Sequence, residues 1–324
     1  MQRHYHPAAS FLGKALRYGI VLIVIIALNF LIPRVMPGDP VKNILGEQAY
    51  YTAEDVAALS AELGLDKPVY QQFGDYLGGL FSGDWGYSYL YMQPVLEAVG
   101  GHLLWTLVLI LPAIILGALL AGLAGLVAGY FRKTPLDIGL TSGFMLVYAM
   151  PHYWIAMLML MFFSFNLGWF PMGKVTTGGL SGFAYFADLL WHMALPLLVI
   201  TLFKAAYDFL IMRNTVISIC GEDYILMARA KGLSRGRILF KHILRNSLAP
   251  LVTVTAIQFG MLFSGVLLVE TVFSWPGMGT LIYEAIGARD YPLIQGAFLI
   301  IAVCVLLANM TADLLYRRLD PRTA

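Results

Sequence analysis

Six long apolar runs leave this chain few ways to fold. They cover residues 19–33, 103–130, 138–165, 189–212, 251–273 and 293–315, with polar turns between them. A helix needs about 20 residues to cross the hydrocarbon core; five runs reach that length, and the first, shorter run is counted with them, so six membrane helices are expected. Apolar residues make up 59% and charged residues 12%, with mean hydropathy +0.75. Soluble domains carry about 45–50% apolar and about 25% charged residues, so composition excludes a pair of soluble domains. Cys220 and Cys304, the only cysteines, give no disulfide framework and no foothold for redox chemistry. Basic residues ahead of the first run also mark signal peptides, but the apolar stretch is long and no A-x-A site follows it.

Basic residues orient the runs. With the N-terminus inside, fifteen Lys or Arg fall in internal segments and five in external ones, and Lys204 lies within a run. That bias predicts both termini in the cytoplasm. Seven of the fifteen lie between Arg213 and Leu248, against Glu222 and Asp223, a net +5 in a chain whose total is +2. The pI of about 8.4 follows from this topology and is no sign of nucleic-acid binding.

Residues 34–99 are the one sizeable segment outside the runs, and they are acidic. Thr52 with Asp55 predicts a capping box opening a short helix that Gly64 closes. Val69, Phe73, Tyr76, Leu77 and Leu80 predict a second, amphipathic helix suited to the membrane surface, broken by Gly83-Asp84-Trp85-Gly86. The turn Arg34-Val35-Met36-Pro37-Gly38-Asp39-Pro40 links this loop to the first run.

The basic interruption, residues 221–250, predicts two short helices around a tight break. Glu222 and Asp223 favour a helix start, Ala228 and Ala230 are small enough to offer a bare face to a partner, and Gly232 suits a left-handed helix end. Ser234 then caps a second helix with Arg237, Lys241 and Arg245 along one face. On these residues alone, a loop that merely fixes topology stays open beside a docking element.

The order Asp223-Tyr224, Ala228-Arg229-Ala230-Lys231-Gly232-Leu233-Ser234 and Leu244-Arg245-Asn246 resembles the coupling loop of permease subunits in binding-protein-dependent ABC importers of the dipeptide, oligopeptide and nickel family. Glu270-Thr271-Val272-Phe273 with Pro276-Gly277-Met278-Gly279, and Arg289-Asp290-Tyr291-Pro292, resemble that family's last external turn. Further likenesses are the Pro-Gly-Asp-Pro turn, Leu167-Gly168-Trp169-Phe170-Pro171, and His192 with Leu195-Pro196. The chain departs from the wider superfamily's EAA-type motif, with Leu226 where that motif has Glu, so no acidic ATPase contact carries over to that position.

The resemblance implies an all-α integral membrane protein: six transmembrane helices, a cytoplasmic coupling helix and a structured external loop between helices 1 and 2. Its expected organisation is a cytoplasmic segment at 1–18, a first span at 19–33, the external loop at 34–99, and a permease core at 100–324 with its coupling loop at 213–250. It implies a bacterial or archaeal inner-membrane location, a second homologous permease subunit, two ATPase subunits or domains, and an external solute-binding protein. No G-x-x-x-x-G-K-[ST] occurs, so ATP and Mg²⁺ are expected on the partners and no cofactor on this chain. Peptide is the expected cargo, with nickel or a metallophore, or an oligosaccharide, as alternatives. An ion-coupled carrier or channel is the rival from another class.

Polar residues inside the runs need a reason. Lys204 and Asp208, one turn apart, form a neutralised pair or line the path, and Gln258 and Ser264 are candidates for the path of a two-subunit pore. Glu270, Pro276, Gly277, Gly279, Arg289 and Asp290 make up the external signature turn. Gly117, Ala121, Gly125 and Gly129 recur every four residues and predict close helix packing, within the subunit or against a second one. Met150, Met157, Met159 and Met161 near His152 lack a compact ligand spacing, and no metal site is assigned there. Gly179-Leu180-Ser181-Gly182 matches a short rhomboid-protease motif, but its base must be a histidine on a later membrane helix, and His192 follows too soon while His242 is in the basic loop.

Overall fold

The computed structural model describes residues 7–35, 52–62, 64 and 66–319. The Met36–Pro40 part of the Pro-Gly-Asp-Pro turn, residues Lys42, Glu47, Leu63 and Leu65, and Arg322 lie outside the described residues, as does the Ser264 side chain. The described backbone is almost wholly helical, and it divides into two compact units, Met1–Leu103 with Leu281–Leu306, and Leu104–Thr280 with Leu307–Ala324. The segment from Leu281 to Leu306 groups with the N-terminal unit.

In the first unit, α1 (Pro7–Val35) outruns the 19–33 run at both ends. The capping box opens α2 (Ala53–Glu62): the Thr52 N–H and hydroxyl donate to Asp55 Oδ2 at 2.7 and 2.8 Å, and the Asp55 N–H donates back to Thr52 Oγ1 at 3.2 Å. The Thr52 N–H holds the Asp55 carboxyl below its ordinary pKa. Gly64 has φ +64°, as expected of a helix-closing glycine. Next comes α3 (Val69–Ser82), ended by Gly83 in the left-handed region. From its apolar stripe, Phe73 and Tyr76 pack on Phe30 of α1, with ring centroids 5.0 and 5.6 Å apart. The rest of the stripe stays at least partly exposed, Val69 most of all.

A two-stranded hairpin follows, β1 (Tyr87–Ser88) antiparallel to β2 (Gln93–Pro94). It anchors α12 (Tyr291–Leu319) through Asp290, which is 1% exposed. Asp290 Oδ2 accepts from the Ser88 hydroxyl at 2.7 Å and the Leu90 N–H at 3.0 Å, while Oδ1 accepts from the Leu293 N–H at 3.1 Å. One carboxylate thus caps a membrane helix and ties down the hairpin. Tyr91 donates to Glu284 at 2.7 Å; burial, then that hydrogen bond, raises its pKa. On α1, Asn29 donates to Gln295 O of α12 at 2.6 Å.

In the second unit, α4 (Val95–Tyr130) runs against α7 (Gly182–Cys220) through its glycine face. A Cβ on Gly125 would lie 2.7 Å from Met212 Cβ, and one on Gly129 would lie 2.7 Å from Arg213 O. The four-residue repeat is therefore spent within the subunit. Away from that face, α4 exposes Leu104, Ile115, Leu119 and Leu123, the pattern of a helix solvated by lipid.

The run 138–165 is not one straight helix. It divides into α5 (Pro135–Ala149) and α6 (His152–Met159), the latter continued by a π-helical stretch Leu160–Asn166, with a 103° bend between them. Pro151 forces the bend: it lacks an N–H and drives the preceding residue out of the helical region, and Met150 is extended at φ −93°, ψ 145°. Two elements follow α7 in the basic loop, α8 (Asp223–Ala230) and a short turn α9 (Arg235–Arg237). The π-helical stretch Ile238–Leu244 then leads into α10 (Arg245–Val272). Last, α11 (Met278–Ala288) precedes α12. Among the described residues, three helices are long and apolar enough to cross a membrane, or four if the bent pair is one span.

Replacing Gly125 with Leu is expected to destabilise the purified protein by about 1–3 kcal/mol, because the new side chain must displace Met212 and backbone. Gly139→Ala, where a Cβ meets nothing within 4 Å, is the control and leaves the melting temperature unchanged or higher. Thermal unfolding in one detergent compares the two.

Candidate functional site: the basic loop and its supports

The loop forms because its ends are pinned and its break needs glycine. Gly232 has φ +72°, and the Leu233 N–H reaches back to Ala228 O at 3.3 Å while the Gly232 N–H donates to Arg229 O at 2.9 Å. This is the double closure of a helix ending in a left-handed residue. Ser234 Oγ then accepts from the Arg237 N–H at 3.4 Å, as the capping expectation requires.

Burial divides α8 into two faces. Ile225 and Ala228 are buried in a cluster with Leu126, Met212, Val216, Ile238, Ile243 and Leu251. Asp223, Tyr224, Arg229, Ala230, Lys231, Gly232 and Ser234 are exposed, and Leu233 is half-buried. The expectation for Ala228 is therefore corrected: its small side chain lets α8 lie close on the subunit's own core and does not present a bare face outward. Ala230 and Gly232 are the small residues on the open side. Tyr224 fixes the angle of α8, its hydroxyl accepting from Asn246 Nδ2 at 2.9 Å at the start of α10. That contact joins the two ends of the resemblance motif, which lie 22 residues apart.

Beneath the loop lies an ion pair that inspection of the sequence missed. Arg213, near the end of α7, donates from Nε to Asp137 Oδ1 at 2.6 Å and from Nη2 to Oδ2 at 2.8 Å. Asp137 also accepts from the Lys133 N–H at 2.8 Å and the Thr141 hydroxyl at 3.2 Å. A two-pronged Arg–carboxylate contact holds α5 and α7 in one register at the root of the loop. The only signal in the sequence was an acidic residue at the edge of an apolar run.

Lys204 and Asp208 pair directly, 2% and 0% exposed, and Thr255 of α10 donates to Asp208 Oδ2 at 3.1 Å. The Lys204 stem fills the space above Gly117, where a Cβ would lie 2.7 Å from Lys204 Cγ. The pair is thus enclosed by α4, α7 and α10 inside the subunit. Gln258 is half-buried on α10.

Glu270 is 0% exposed, although its setting looks like a surface turn in the sequence. Its Oε1 accepts from the Thr106 hydroxyl at 2.6 Å and its Oε2 from the Gly279 N–H at 2.7 Å. Thr106 Oγ1 in turn accepts from the Met278 N–H at 2.8 Å. The carboxylate also fills the space over Gly277, and Leu267 backbone fills that over Gly279, so both glycines are required by contact. Trp275, fully buried, donates to Trp105 O at 3.0 Å, and Pro276 is half-buried beside it. Thr106, which completes this knot, had no distinguishing pattern in its apolar run. Arg289 is exposed, with φ +54°.

His152 packs on the Phe203 ring at 3.9 Å, while Met157 and Met161 are exposed. His192 Nδ1 lies 2.9 Å from Asp188 O, and the Asp188 carboxylate accepts from the Thr177 N–H and hydroxyl.

A helical subunit with an apolar core, many exposed apolar side chains and helices long enough to span a bilayer fits the class of membrane-embedded proteins, and comparison with known proteins gives the family. Residues 121–324 match the family described as "Binding-protein-dependent transport system inner membrane component", and residues 10–109 match its N-terminal counterpart. The chain is 36% identical over 311 residues to the di/tripeptide transport system permease protein of Pseudomonas aeruginosa, covering 91% of this chain and 92% of that one. It is 36% identical over 328 residues to the dipeptide transport system permease protein of Escherichia coli K12, covering 94% and 96%. A solved structure titled as an amino acid ABC transporter with histidines shares the fold, at TM-score 0.50 and 17% identity over 68% of this chain and 94% of that one. The chain belongs to the binding-protein-dependent transport system inner membrane component family, as a permease subunit of an ABC importer. That membership sets aside the ion-coupled carrier.

Arg213→Met is expected to cost up to about 3 kcal/mol, since it strands the Asp137 carboxylate. The double variant with Asp137→Asn recovers part of that loss in the same thermal unfolding assay.

Proposed function

We propose that α8 is the helix through which partner ATPases drive this subunit, and that the cargo is a di- or oligopeptide. What supports the first half is the division of α8 into a buried face on Ile225 and Ala228 and an open side at Arg229 and Ala230 that continues into the exposed turn at Lys231 and Gly232, within a segment of net +5. An element docked rigidly below and open above transmits a push as a rigid body. Closure of the ATPases moves α8, and with it α7 and α10, which carry the loop at either end. The path then opens outward and inward in alternation.

The full assembly on this reading has six membrane helices per subunit, with α1 and α10 supplying spans beyond those that qualify by length and composition. Both termini and the basic loop are cytoplasmic, and residues 34–99 are external. A second, homologous permease subunit completes the path, with Gln258 and Ser264 facing it. ATP and Mg²⁺ are used by two ATPase subunits, and an external solute-binding protein delivers the ligand. Lys204 and Asp208 keep α4, α7 and α10 together in this scheme, and Arg289 and Asp290 with the Glu270 knot brace the external end. Peptide is favoured because the permeases most similar over nearly the whole chain are named for di- and tripeptides.

Gly232→Asp tests the coupling role. Asp tolerates the left-handed conformation better than most residues, so the loop still folds while its open face gains a negative charge. Peptide uptake into proteoliposomes is expected to fall by about tenfold or more, a change of about 1.4 kcal/mol or greater. The subunit is expected to assemble normally, with ATP hydrolysis persisting. Wild-type uptake by this variant would overturn the assignment.

A further inference from the structure

The N-terminal unit holds a cleft of about 380 Å³ that the coupling scheme does not use. It is bounded by the end of α1, by α2 and α3, by the turn at Asp84–Gly86 and by the start of α12. Its volume is near the lower end of the roughly 300–1,000 Å³ of small-molecule sites.

The charges on its wall are unevenly satisfied. Lys67 and Asp75 neutralise each other at 2.7 Å. Arg34 is held by neutral acceptors only: Nε and Nη2 donate to Gln72 Oε1 at 3.2 and 2.9 Å, and Nη1 donates to Phe30 O at 2.7 Å. The guanidinium lies over the Phe30 ring, 3.5 Å from its centroid. Its position is fixed and its charge is not cancelled by any carboxylate among the described residues. Asp84 is the converse, an exposed carboxylate accepting from the Gly86 N–H at 3.1 Å and paired with no cation among the described residues. Apart from the paired Lys67 and Asp75, the rest of the wall is uncharged and includes Tyr76, Trp85 and Pro292.

A fixed cation and a separate anion lining one small cleft select a ligand that carries both charges. An anion alone would leave Asp84 unmatched, and a cation alone would leave Arg34 unmatched. We propose that this cleft is a ligand site on the permease subunit itself and takes a short zwitterionic peptide, with its α-carboxylate on Arg34 and its α-ammonium towards Asp84. The guanidinium is preorganised by Gln72 and Phe30, so a carboxylate meets donors already in place. The inference rests on the peptide reading above and adds a site outside the solute-binding protein.

The test is equilibrium binding of radiolabelled dialanine to the whole importer in lipid nanodiscs, without the solute-binding protein. Saturable binding is expected, and N-acetyl-dialanine amide, which has neither charge, is expected not to compete. Arg34→Gln is expected to weaken dialanine about tenfold or more, with Arg34→Lys retaining part of the affinity. Asp84→Asn, an exposed change that threatens no fold, is expected to weaken dialanine and leave the weak binding of N-acetyl-dialanine unchanged. No saturable binding, equal competition by the uncharged analogue, or unaltered affinity in both Arg34→Gln and Asp84→Asn would overturn the site. Uptake with the binding protein present separates the two levels. Dialanine imported without cleft binding removes this site and leaves the peptide reading standing, whereas import of another solute class with no dialanine removes both.

Discussion

Close approach of α4 to α7 is the contact on which the rest of the second unit depends. In lipid, apolar side chains gain little by leaving their surroundings, so helices associate through packing and a few internal polar contacts. Glycine at 117, 125 and 129 brings the α4 backbone down onto α7, and the Lys204 stem, Met212 and Val216 fill the space that side chains would have occupied. The Lys204–Asp208 pair is sealed by that approach, and Thr255 extends it to α10. A buried ion pair contributes little net stability, but it permits few arrangements of the helices that enclose it.

The same logic operates at both ends of the helices. At one, Arg213 grips Asp137 and sets the register of α5 against α7 just where the chain leaves for the basic loop. At the other, Glu270 gathers Thr106 and Gly279 around the break between α10 and α11. Each is a buried carboxylate that gathers local donors and one from a distant part of the chain. Such groups are costly in an apolar setting unless satisfied, which makes them strict about geometry. Between them α7 is a long, nearly unbroken lever, with the α8 helix attached at its end through Ile225 and Ala228. That joint is packed, with Ile225 and Ala228 buried against Met212 and Val216 of α7.

The first unit is organised differently. Its polar contacts run between the loop segment and the helix ends: Asp290 binds the hairpin, Asn29 reaches α12, and aromatic rings join α3 to α1. These contacts leave a small cleft lined by Arg34 and Asp84, two charges of opposite sign that no ion pair among the described residues cancels.

The sequence by itself determined the helical membrane class, the glycine face of α4, the capping box at Thr52, the left-handed end at Gly232 and the family motifs. All of these depend on local chemistry or on composition, which neighbouring residues suffice to express. Tertiary structure decided what needs distant partners. It turned Ala228 inward, because the face of α8 that carries it meets Leu126 and Met212. It buried Glu270, which resembles a surface turn residue until Thr106 arrives from a helix 164 positions away. It paired Asp137 with Arg213 and turned Phe73 and Tyr76 of α3 onto Phe30. The bend at Pro151 lies between these cases. Proline announces a break, and only the structure gives its angle of 103°.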